Sequence, residues 1–365
     1  MPSTSDAIST PAPEQQTIVE VEGSLLRIRL NRPKALNSLT PVMVADINRA
    51  LDGLEADETL SACLVTGEGE RGLCAGGDIR LIYDIGRSDP EGALAFWRDE
   101  YRMNARLTHL TKPYIALMDG IVMGGGAGVS VHGSHRIVTE RTRFAMPETG
   151  IGFFPDVGGS WFLSRQEDEL GTYAALTGEI LNAGDVLTLG LADHVIASTA
   201  IPDVIEALSH LPASAGAAEV TAVIDRFSEA PPPSLLDQER DVIARCFAFE
   251  TVEEIFAALQ REAGEFAERT LATLSKKSPL SLKVTLRLLR LGRNSPSLEA
   301  CLKREFIGTT QVLRNLDFYE GVRAAVVDKD RNPKWNPATL AEVSQADVDA
   351  FFRPSNTTLF PHTTA

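Results

Sequence analysis

The stretch YIALMDGIVMGGGAG, residues 114–128, contains an apolar run that leads directly into three consecutive glycines. The run at residues 114–118 is typical of a buried strand, whereas a triple glycine favours a turn. A similar turn, LCAGGD at residues 73–78, follows an apolar strand at residues 62–66 and precedes a helix-like segment. Strands that alternate with helices in this way indicate crossover units, so we expect an α/β fold rather than a sandwich or a helix bundle.

The segments on either side extend this pattern. Residues 18–30 alternate between apolar and polar side chains around a turn at Gly23, which predicts a hairpin. Thr40 followed by Pro41 predicts the start of a helix, with Thr40 as the N-cap. Further helices are predicted from residue 78 and at residues 90–109, 169–177, 182–189 and 202–209, further strands at residues 136–140 and 143–145, a less ordered Ala/Pro-rich joint at residues 212–233, and amphipathic helices at residues 235–325 and 343–352.

The composition restricts the class of protein. The chain has 365 residues, of which 44% are hydrophobic and 23% charged, so it can bury a large core and does not resemble a disordered chain. Its 35 basic and 50 acidic residues give a net charge of −15, and such an acidic chain is not expected to bind nucleic acid. No apolar run reaches the ~20 residues of a membrane-spanning helix, so no membrane partner is expected.

The N-terminus and the cysteines bear on the compartment. Residues 1–16 contain no Arg or Lys and no apolar segment, which argues against a signal peptide and predicts a disordered leader. The four cysteines are far apart and form no CxxC pair, which suits a reducing compartment and disfavours structural zinc. We therefore expect a cytoplasmic protein without a metal site.

Two strand-to-helix turns can carry chemistry. In residues 73–78 and 123–128, glycines separate a predicted strand from a predicted helix. A helix start presents backbone N–H groups that have no acceptor within the helix, and two such groups can stabilise an oxyanion. Taken alone, each glycine cluster is more simply explained as a tight turn.

Two carboxylates occur in a third glycine-containing segment, AMPETGIGFFPDVGG at residues 145–159. Glu148 and Asp156 each lie beside a proline, with apolar residues between them. An apolar environment raises the proton affinity of a carboxylate and makes it a better base. From residue type alone, a cap of a turn for Glu148 and a cap of a helix for Asp156 are the better explanations.

Competing motifs are less well matched. The chain has no GxxxxGK[ST], and GxGxxG is not met at residues 124–128. The segment GVSVH at residues 128–132 lacks the last glycine of GxSxG. His132 and His135, three positions apart on a predicted helix, have no third metal ligand nearby in the sequence, so a polar helix face explains them better.

Five segments in this order resemble the enoyl-CoA hydratase/isomerase (crotonase) superfamily and, within it, the 3-hydroxyisobutyryl-CoA hydrolases of valine degradation. They are NRPKALN at residues 31–37, CAGGD at 74–78, the triple glycine at 124–126, MPET at 146–149 and FPDVGG at 154–159. The resemblance covers about residues 17–340. It implies a crotonase-like spiral of ββα repeats, placed at residues 17–211, followed by an extended helical C-terminal region at residues 234–352.

The resemblance also implies roles for individual residues. The N–H groups of Gly77 and Gly125 would form the oxyanion hole for the thioester carbonyl of an acyl-CoA. Glu148 matches a carboxylate that hydratases and this hydrolase branch share, and Asp156 matches an aspartate of the hydrolases where hydratases often have glycine. Gly128 departs from the hydratases, which have a glutamate there that helps to hold and activate water.

Three further residues are expected near the substrate. Glu100 matches a residue that lines the pocket in the hydrolase branch, although a solvated helix face explains it equally well. Arg32 and Lys34 lie where the family's early loop meets the nucleotide, so we expect a contact with a CoA phosphate, with an ordinary surface charge as the alternative.

These positions predict a CoA-thioester hydrolase that acts on 3-hydroxyisobutyryl-CoA or a close 3-hydroxyacyl-CoA, either by direct attack of Glu148 or through a water that Glu148 deprotonates. The alternative is an enoyl-CoA isomerase or atypical hydratase of the same superfamily, and a CoA-binding protein without turnover is a third reading. No cofactor is expected, because CoA is part of the substrate. Family members commonly form trimers or hexamers, but the longer C-terminal region leaves a smaller assembly open.

Overall fold

Two β-sheets form the centre of the fold. The computed structural model describes residues 15–354 and 358–360, with strands β1 (Thr17–Glu22), β2 (Leu25–Leu30), β3 (Ala62–Gly67), β4 (Gly72–Cys74), β5 (Tyr114–Met118), β6 (Ile121–Met123), β7 (His135–Val138), β8 (Arg143–Ala145) and β9 (His194–Val195). The larger sheet has six strands in the order β1-β2-β3-β5-β7-β9, and the smaller sheet has three in the order β4-β6-β8. β1 and β2 form the predicted antiparallel hairpin, and the other pairs in the described sheets are parallel. The strand pairs β3–β4, β5–β6 and β7–β8 each contribute one strand to each sheet, so the chain winds as the expected spiral of ββα repeats.

Two of the helices begin where the sequence predicts, each at a side-chain cap. The helices are α1 (Pro41–Ala56), α2 (Ile79–Gly86), α3 (Pro90–Leu107), α4 (Gly125–Gly128), α5 (Gly159–Phe162), α6 (Leu170–Thr177), α7 (Ala183–Thr188), α8 (Ile201–Ser209), α9 (Ala217–Asp225), α10 (Leu235–Phe247), α11 (Val252–Arg261), α12 (Glu265–Leu274), α13 (Pro279–Arg293), α14 (Leu298–Val312), α15 (Leu316–Val322) and α16 (Gln345–Ala350). The Thr40 side chain accepts a hydrogen bond from the Met43 N–H at the start of α1, and Asp89 accepts one from Gly92 at the start of α3. The predicted starts of both helices are thus confirmed.

One face of the large sheet is covered by α8 and α9. Leu64 and Ile115 of the sheet pack with Val220 and Ile224 of α9 in one apolar cluster. The prediction of a less ordered joint at residues 212–233 is therefore wrong for residues 217–225, because apolar residues recur at helical spacing there and bury one face of α9.

The C-terminal helices pack onto the spiral instead of standing apart from it. Helices α13 and α14 both contact α5, and α14 also contacts α3. Elements from both predicted regions therefore share one core, and the division at residues 211 and 234 stays a prediction.

Hydrogen bonds hold the chain in place close to the N-terminal end of the described residues. Residues 1–14 of the predicted leader lie outside the described residues, but Gln16 is held in place: its backbone carbonyl accepts from the Asn31 N–H at 2.8 Å, and its side chain accepts from the Thr40 hydroxyl at 2.6 Å. The disorder predicted for the leader therefore does not extend to Gln16. Within residues 15–354 and 358–360, no helix is both long enough and apolar enough to cross a membrane.

Candidate active site

The carboxyl ends of the three small-sheet strands bring the predicted residues together. Gly77 follows β4, Gly125 follows β6, and Glu148 follows β8. Parallel strands end at the same edge of a sheet, so loops from three separate parts of the chain meet there. The three residues line one cavity of about 100 Å³, together with Glu100 of α3 and Asp156.

Two backbone N–H groups lie close together at this cavity. Gly76 and Gly124 adopt φ values of +114° and +48°, which let the chain turn sharply before each helix. The N–H groups of Gly77 and Gly125 have no acceptor among the described residues. A Cβ atom placed on Gly125 would lie 3.1 Å from the Gly77 nitrogen, so the two amides are close neighbours. This is the arrangement that an oxyanion hole needs.

The position of Gly77 is fixed by the loop that precedes α1. The Leu39 N–H donates to the Gly76 carbonyl at 2.8 Å, and the Asp78 N–H donates to the Leu39 carbonyl at 2.8 Å. These two bonds engage the residues on either side of Gly77 and leave its own N–H available. The segment between the NRPKALN loop and α1 therefore supports one of the two amides.

Three carboxylates converge on the cavity and are buried. The exposed fractions of Glu100, Asp156 and Glu148 are 2%, 5% and 6%, so the interpretation of Glu100 as a solvated helix face is wrong. Glu100 Oε1 and Glu148 Oε2 have no hydrogen-bond partner in the described part of the chain. Since buried polar atoms are almost always paired, both oxygens are available to a bound molecule.

Burial raises the pKa of all three carboxylates. Burial is the main cause of the raised pKa of Glu148 and Glu100, followed for both by the nearby charge of Asp156. Burial also raises the pKa of Asp156, to about 7, against a hydrogen bond from the Tyr101 hydroxyl that lowers it. The site therefore holds protons near neutral pH, as acid–base chemistry requires.

Apolar rings complete the wall beside the carboxylates. Phe96, Trp97 and Phe153 line the cavity, and the Trp97 and Phe153 rings stack with their centroids 5.5 Å apart. Trp97 and Glu100 are three positions apart on α3 and so face the same side of the helix. These rings provide the apolar surroundings that the sequence predicts for the carboxylates.

The structure also explains the glycine at position 128. A Cβ atom placed on Gly128 would lie 2.8 Å from the Asn104 amide nitrogen and 2.9 Å from the Val157 Cβ atom. A glutamate side chain therefore has no room there without a shift of its neighbours. The second carboxylate of the hydratases is thus absent from the sequence and also excluded by the local packing.

Arg32 and Lys34 do not line the cavity. The Arg32 guanidinium forms an ion pair with Asp78 at 2.9 Å and donates to the Ser38 carbonyl at 2.7 Å, whereas Lys34 is exposed. Asp78 is the N-cap of α2, one residue after Gly77. Arg32 thus stabilises the segment that contains Gly77 and Asp78. The contact of Arg32 or Lys34 with a CoA phosphate remains a prediction.

The structure reveals partners of Asp156 that the sequence does not indicate. The Tyr101 hydroxyl donates to Asp156 Oδ2 at 2.7 Å, and Glu305 of α14 accepts hydrogen bonds from the turn that follows Asp156. Tyr101 adjoins Glu100 in the chain, which is a weak signal, and nothing in the local sequence distinguishes Glu305. The helix cap predicted for Asp156 is not formed, because Gly158 is the N-cap of α5.

The two histidines considered as metal ligands serve other purposes. His135 begins β7 instead of lying on a helix, and His132 donates from Nε2 to the Val157 carbonyl at 2.7 Å. Across the described part of the chain, no three His, Cys, Asp or Glu side chains are grouped so as to hold a metal ion.

The raised pKa of Asp156 predicts a pH-dependent stability. The ordinary value is 3.8 and the folded value is about 7, so between these values the folded chain keeps a proton that the unfolded chain has released. The contribution of Asp156 to the free energy of unfolding therefore falls as the pH rises through this interval. At pH 8 we expect Asp156→Asn to be more stable than the parent by on the order of 2 kcal/mol, with a smaller difference at pH 5.5.

Urea unfolding at both pH values measures this difference. Asp185 supplies a matched control, because it is also buried and accepts hydrogen bonds from the Leu236 N–H at 2.8 Å and the Ser234 hydroxyl at 2.9 Å. Asp185→Asn should lose stability at both pH values. An Asp156→Asn variant that is less stable than the parent at pH 8 would show that Asp156 is not strained by its burial.

The sequence is similar to known proteins along most of its length. Residues 25–352 match the family model described as enoyl-CoA hydratase/isomerase. The 3-hydroxyisobutyryl-CoA hydrolase, mitochondrial, of Danio rerio is 42% identical over 342 residues, covering 92% of this chain and 89% of the relative, and that of Homo sapiens is 40% identical over 344 residues, covering 93% and 89%.

Solved structures show the same fold. A carnitinyl-CoA dehydratase from Mycobacterium thermoresistibile superposes with a TM-score of 0.90 at 43% identity, covering 96% of this chain and 99% of that one. An enoyl-CoA hydratase from Rhodobacter sphaeroides superposes with a TM-score of 0.85 at 36% identity, covering 93% and 98%. The chain belongs to the enoyl-CoA hydratase/isomerase family.

Proposed function

We propose that this protein is a CoA-thioester hydrolase that converts 3-hydroxyisobutyryl-CoA and water into 3-hydroxyisobutyrate and CoA. The observation that carries the proposal is the packing at Gly128, which leaves Glu148 without the second glutamate of a hydratase while Asp156 faces the same cavity. The curated relatives at 38–43% identity are named 3-hydroxyisobutyryl-CoA hydrolases, which supports the same substrate.

The proposed reaction begins at the thioester carbonyl. Its oxygen accepts hydrogen bonds from the N–H groups of Gly77 and Gly125, which polarise the carbonyl and stabilise the negative charge of the tetrahedral intermediate. Glu148 then acts in one of two ways. Its carboxylate attacks the carbonyl carbon, the C–S bond breaks and water later cleaves the mixed anhydride, or it takes a proton from a water that attacks the same carbon.

The two routes differ in what remains on the protein. Direct attack leaves the acyl group on Glu148 until water releases it, so a quenched reaction should contain an acylated peptide that includes Glu148. Attack by water leaves no such adduct at any time. Mass spectrometry of a rapidly quenched reaction distinguishes them.

The other two carboxylates are assigned to the substrate. Asp156 orients the attacking water or accepts a hydrogen bond from the 3-hydroxyl of the acyl group, and the unpaired Glu100 Oε1 faces the same space. A cavity of about 100 Å³ suits a short, branched acyl group better than a long chain. At the CoA end, we retain the contact of a phosphate with exposed Lys34 and with Arg32 as part of the proposal.

A screen of short acyl-CoA thioesters for thiol release tests the proposal. We expect rapid release of CoA from 3-hydroxyisobutyryl-CoA and slow release from butyryl-CoA, which lacks the hydroxyl group. The alternative is an enoyl-CoA isomerase or hydratase, which the names of the solved dehydratase and hydratase structures favour. Hydration of crotonyl-CoA or bond migration in a 3-enoyl-CoA without thiol release would establish that alternative and refute the hydrolase.

The wider setting of the reaction is also proposed. The substrate places the protein in valine degradation, and we propose that no cofactor is needed because the amides and carboxylates supply the whole reaction. Retention of activity after dialysis against a chelator checks this. The vertebrate relatives are named mitochondrial, so the cytoplasmic location stays a prediction for fractionation of the source cells to test.

The assembly is a separate proposal. A trimer or hexamer follows from the family resemblance, but the C-terminal helices of this chain pack onto its own spiral, which favours a smaller assembly. Light scattering coupled to size-exclusion chromatography measures which form is present.

A further inference from the structure

A buried glutamate of the C-terminal region holds the turn that carries Asp156. Glu305 of α14 is 0% exposed and does not line the cavity. Its Oε2 atom accepts from the Gly158 N–H at 2.8 Å, and its Oε1 atom accepts from the Ser160 N–H at 2.9 Å and the Ser160 hydroxyl at 2.5 Å. Three donors of one turn thus converge on a single carboxylate.

The turn itself is in a strained conformation. Val157, directly after Asp156, has φ of +49°, a left-handed conformation that β-branched residues rarely adopt. Its carbonyl accepts from His132, and the next residue, Gly158, donates to Glu305. Such strain persists only when surrounding contacts over-determine the geometry, and these hydrogen bonds supply those contacts.

The carboxylate of Glu305 is costly to bury. No cation forms a salt bridge with it among the described residues, although Arg304 is near enough to lower its pKa. Burial raises the pKa of Glu305, and only the hydrogen bonds from the turn oppose this cost substantially. An amide offers only one acceptor oxygen, and its NH2 group would face a backbone N–H donor, so it cannot accept all three hydrogen bonds. The turn therefore requires a carboxylate at this position.

We propose that Glu305 is a positioning residue for the hydrolysis: it fixes the turn that directs Asp156 into the cavity, and its negative charge lies behind Asp156. This inference rests on the proposed function. The residue touches neither substrate nor reacting atoms, and it acts only through Asp156. The C-terminal helical region thereby takes part in the chemistry of the site.

The effect of the Glu305 charge on the pKa of Asp156 is judged against the other titratable groups nearby. The titratable groups around Asp156 and its turn are Glu100 and Tyr101 of α3, Glu148, Glu305 of α14, and His132. After burial, Glu305 is the charge that raises the pKa of Asp156, whereas the Tyr101 hydrogen bond lowers it. Burial lowers the pKa of His132 to about 4, so this side chain is neutral near pH 7 and adds no charge.

The pH dependence of kcat/KM in Glu305→Gln tests the proposal. Glutamine keeps a carbonyl acceptor for Ser160 but loses the charge, so the pH limb governed by the site carboxylates should move to lower pH by about one unit. We also expect kcat to fall about 10-fold, with KM changed much less. The loosened turn no longer holds Asp156 in its correct position relative to the reacting atoms in the transition state. An unchanged pH profile and kcat, with only a lower melting temperature, would overturn the proposal.

Two companion variants separate charge from packing. Ser160→Ala removes one donor but leaves the Glu305 charge and both backbone bonds, so its pH profile should match that of the parent. Asp185→Asn, remote from the cavity lining, should lower the melting temperature without moving the profile. If Glu305→Gln does not fold, Glu305→Asp keeps the charge but withdraws it from the turn. A parent-like kcat in Glu305→Asp would then refute the positioning role.

A measurement without turnover keeps this inference distinct from the proposed function. The change of the unfolding free energy with pH reports the ionisation of Asp156 even in an enzyme with no substrate. In Glu305→Gln, the pH interval over which stability falls should shift toward lower pH. If the parent releases no thiol from any thioester, the proposed function fails, while an unshifted stability profile refutes the role of Glu305.

Discussion

Glu148→Gln is expected to lower the rate of CoA release by about 10³-fold or more while the fold remains intact. The amide is nearly the same shape as the carboxylate, but it can neither attack a carbonyl carbon nor accept a proton from water. The unfolding temperature should not fall, because burial and the charge of Asp156 disfavour the ionised Glu148 in the native state. Thiol release from 3-hydroxyisobutyryl-CoA under saturating conditions measures the loss.

Glu179 provides the matched control for this experiment. Burial lowers the pKa of the Lys277 ammonium, and the charges of Glu179 and Glu148 both lie close enough to oppose this, but only Glu148 lines the cavity. Glu179→Gln should therefore retain most of the thiol release. Undiminished release in Glu148→Gln would show that another group performs the attack or the proton transfer.

Gly125→Ala should reduce kcat by about 10²- to 10³-fold, the usual cost of losing one oxyanion donor. The added methyl group would lie 2.5 Å from Glu100 Oε1 and 3.1 Å from the Gly77 nitrogen, in the space where the carbonyl oxygen must sit. Either the methyl group excludes that oxygen or the α4 start moves and the two amides separate. Steady-state kinetics on the same thioester measures the effect.

Gly53 allows the same substitution to be made where it is harmless. Gly53 lies within α1, and a Cβ atom placed there meets nothing within 4 Å. Gly53→Ala should therefore keep full activity and raise the free energy of unfolding by about 0.5–1 kcal/mol, as expected for alanine in a helix. Full activity in Gly125→Ala would mean that the thioester oxygen binds elsewhere.

Local signals in the sequence were sufficient for most of the fold, whereas the site residues were predicted from the family resemblance. The strands and glycine turns around residues 62–78 and 114–128 specify where chain segments end, and parallel pairing then places those ends at one edge. The meeting of Gly77, Gly125 and Glu148 follows from this topology, because each lies shortly after a small-sheet strand, but their roles were implied only by the resemblance. The family resemblance added the expectation that Glu100 faces the pocket, which its burial agrees with.

The interactions that join distant segments were not predictable in the same way. Glu305 reaches Gly158 and Ser160 across about 145 positions of chain, and no spacing rule connects them. Arg32 is a comparable case, because its charge suggested a contact with a phosphate whereas it forms an ion pair with Asp78. Helix α9, within residues 212–233, was not predicted because the Ala/Pro-rich composition there outweighed the helical periodicity. That periodicity becomes decisive only when the sheet offers an apolar face for the helix to cover.

The burial of the cysteines has a practical consequence for the experiments above. Cys63, Cys74, Cys246 and Cys301 are all free and at most 1% exposed, and burial raises the pKa of the Cys74 thiol to about 12. A disulfide reagent that detects thiolates should therefore react with the CoA released by turnover and not with the native chain. After denaturation the same reagent should titrate four thiols per chain, so one cuvette can report both product formed and enzyme present.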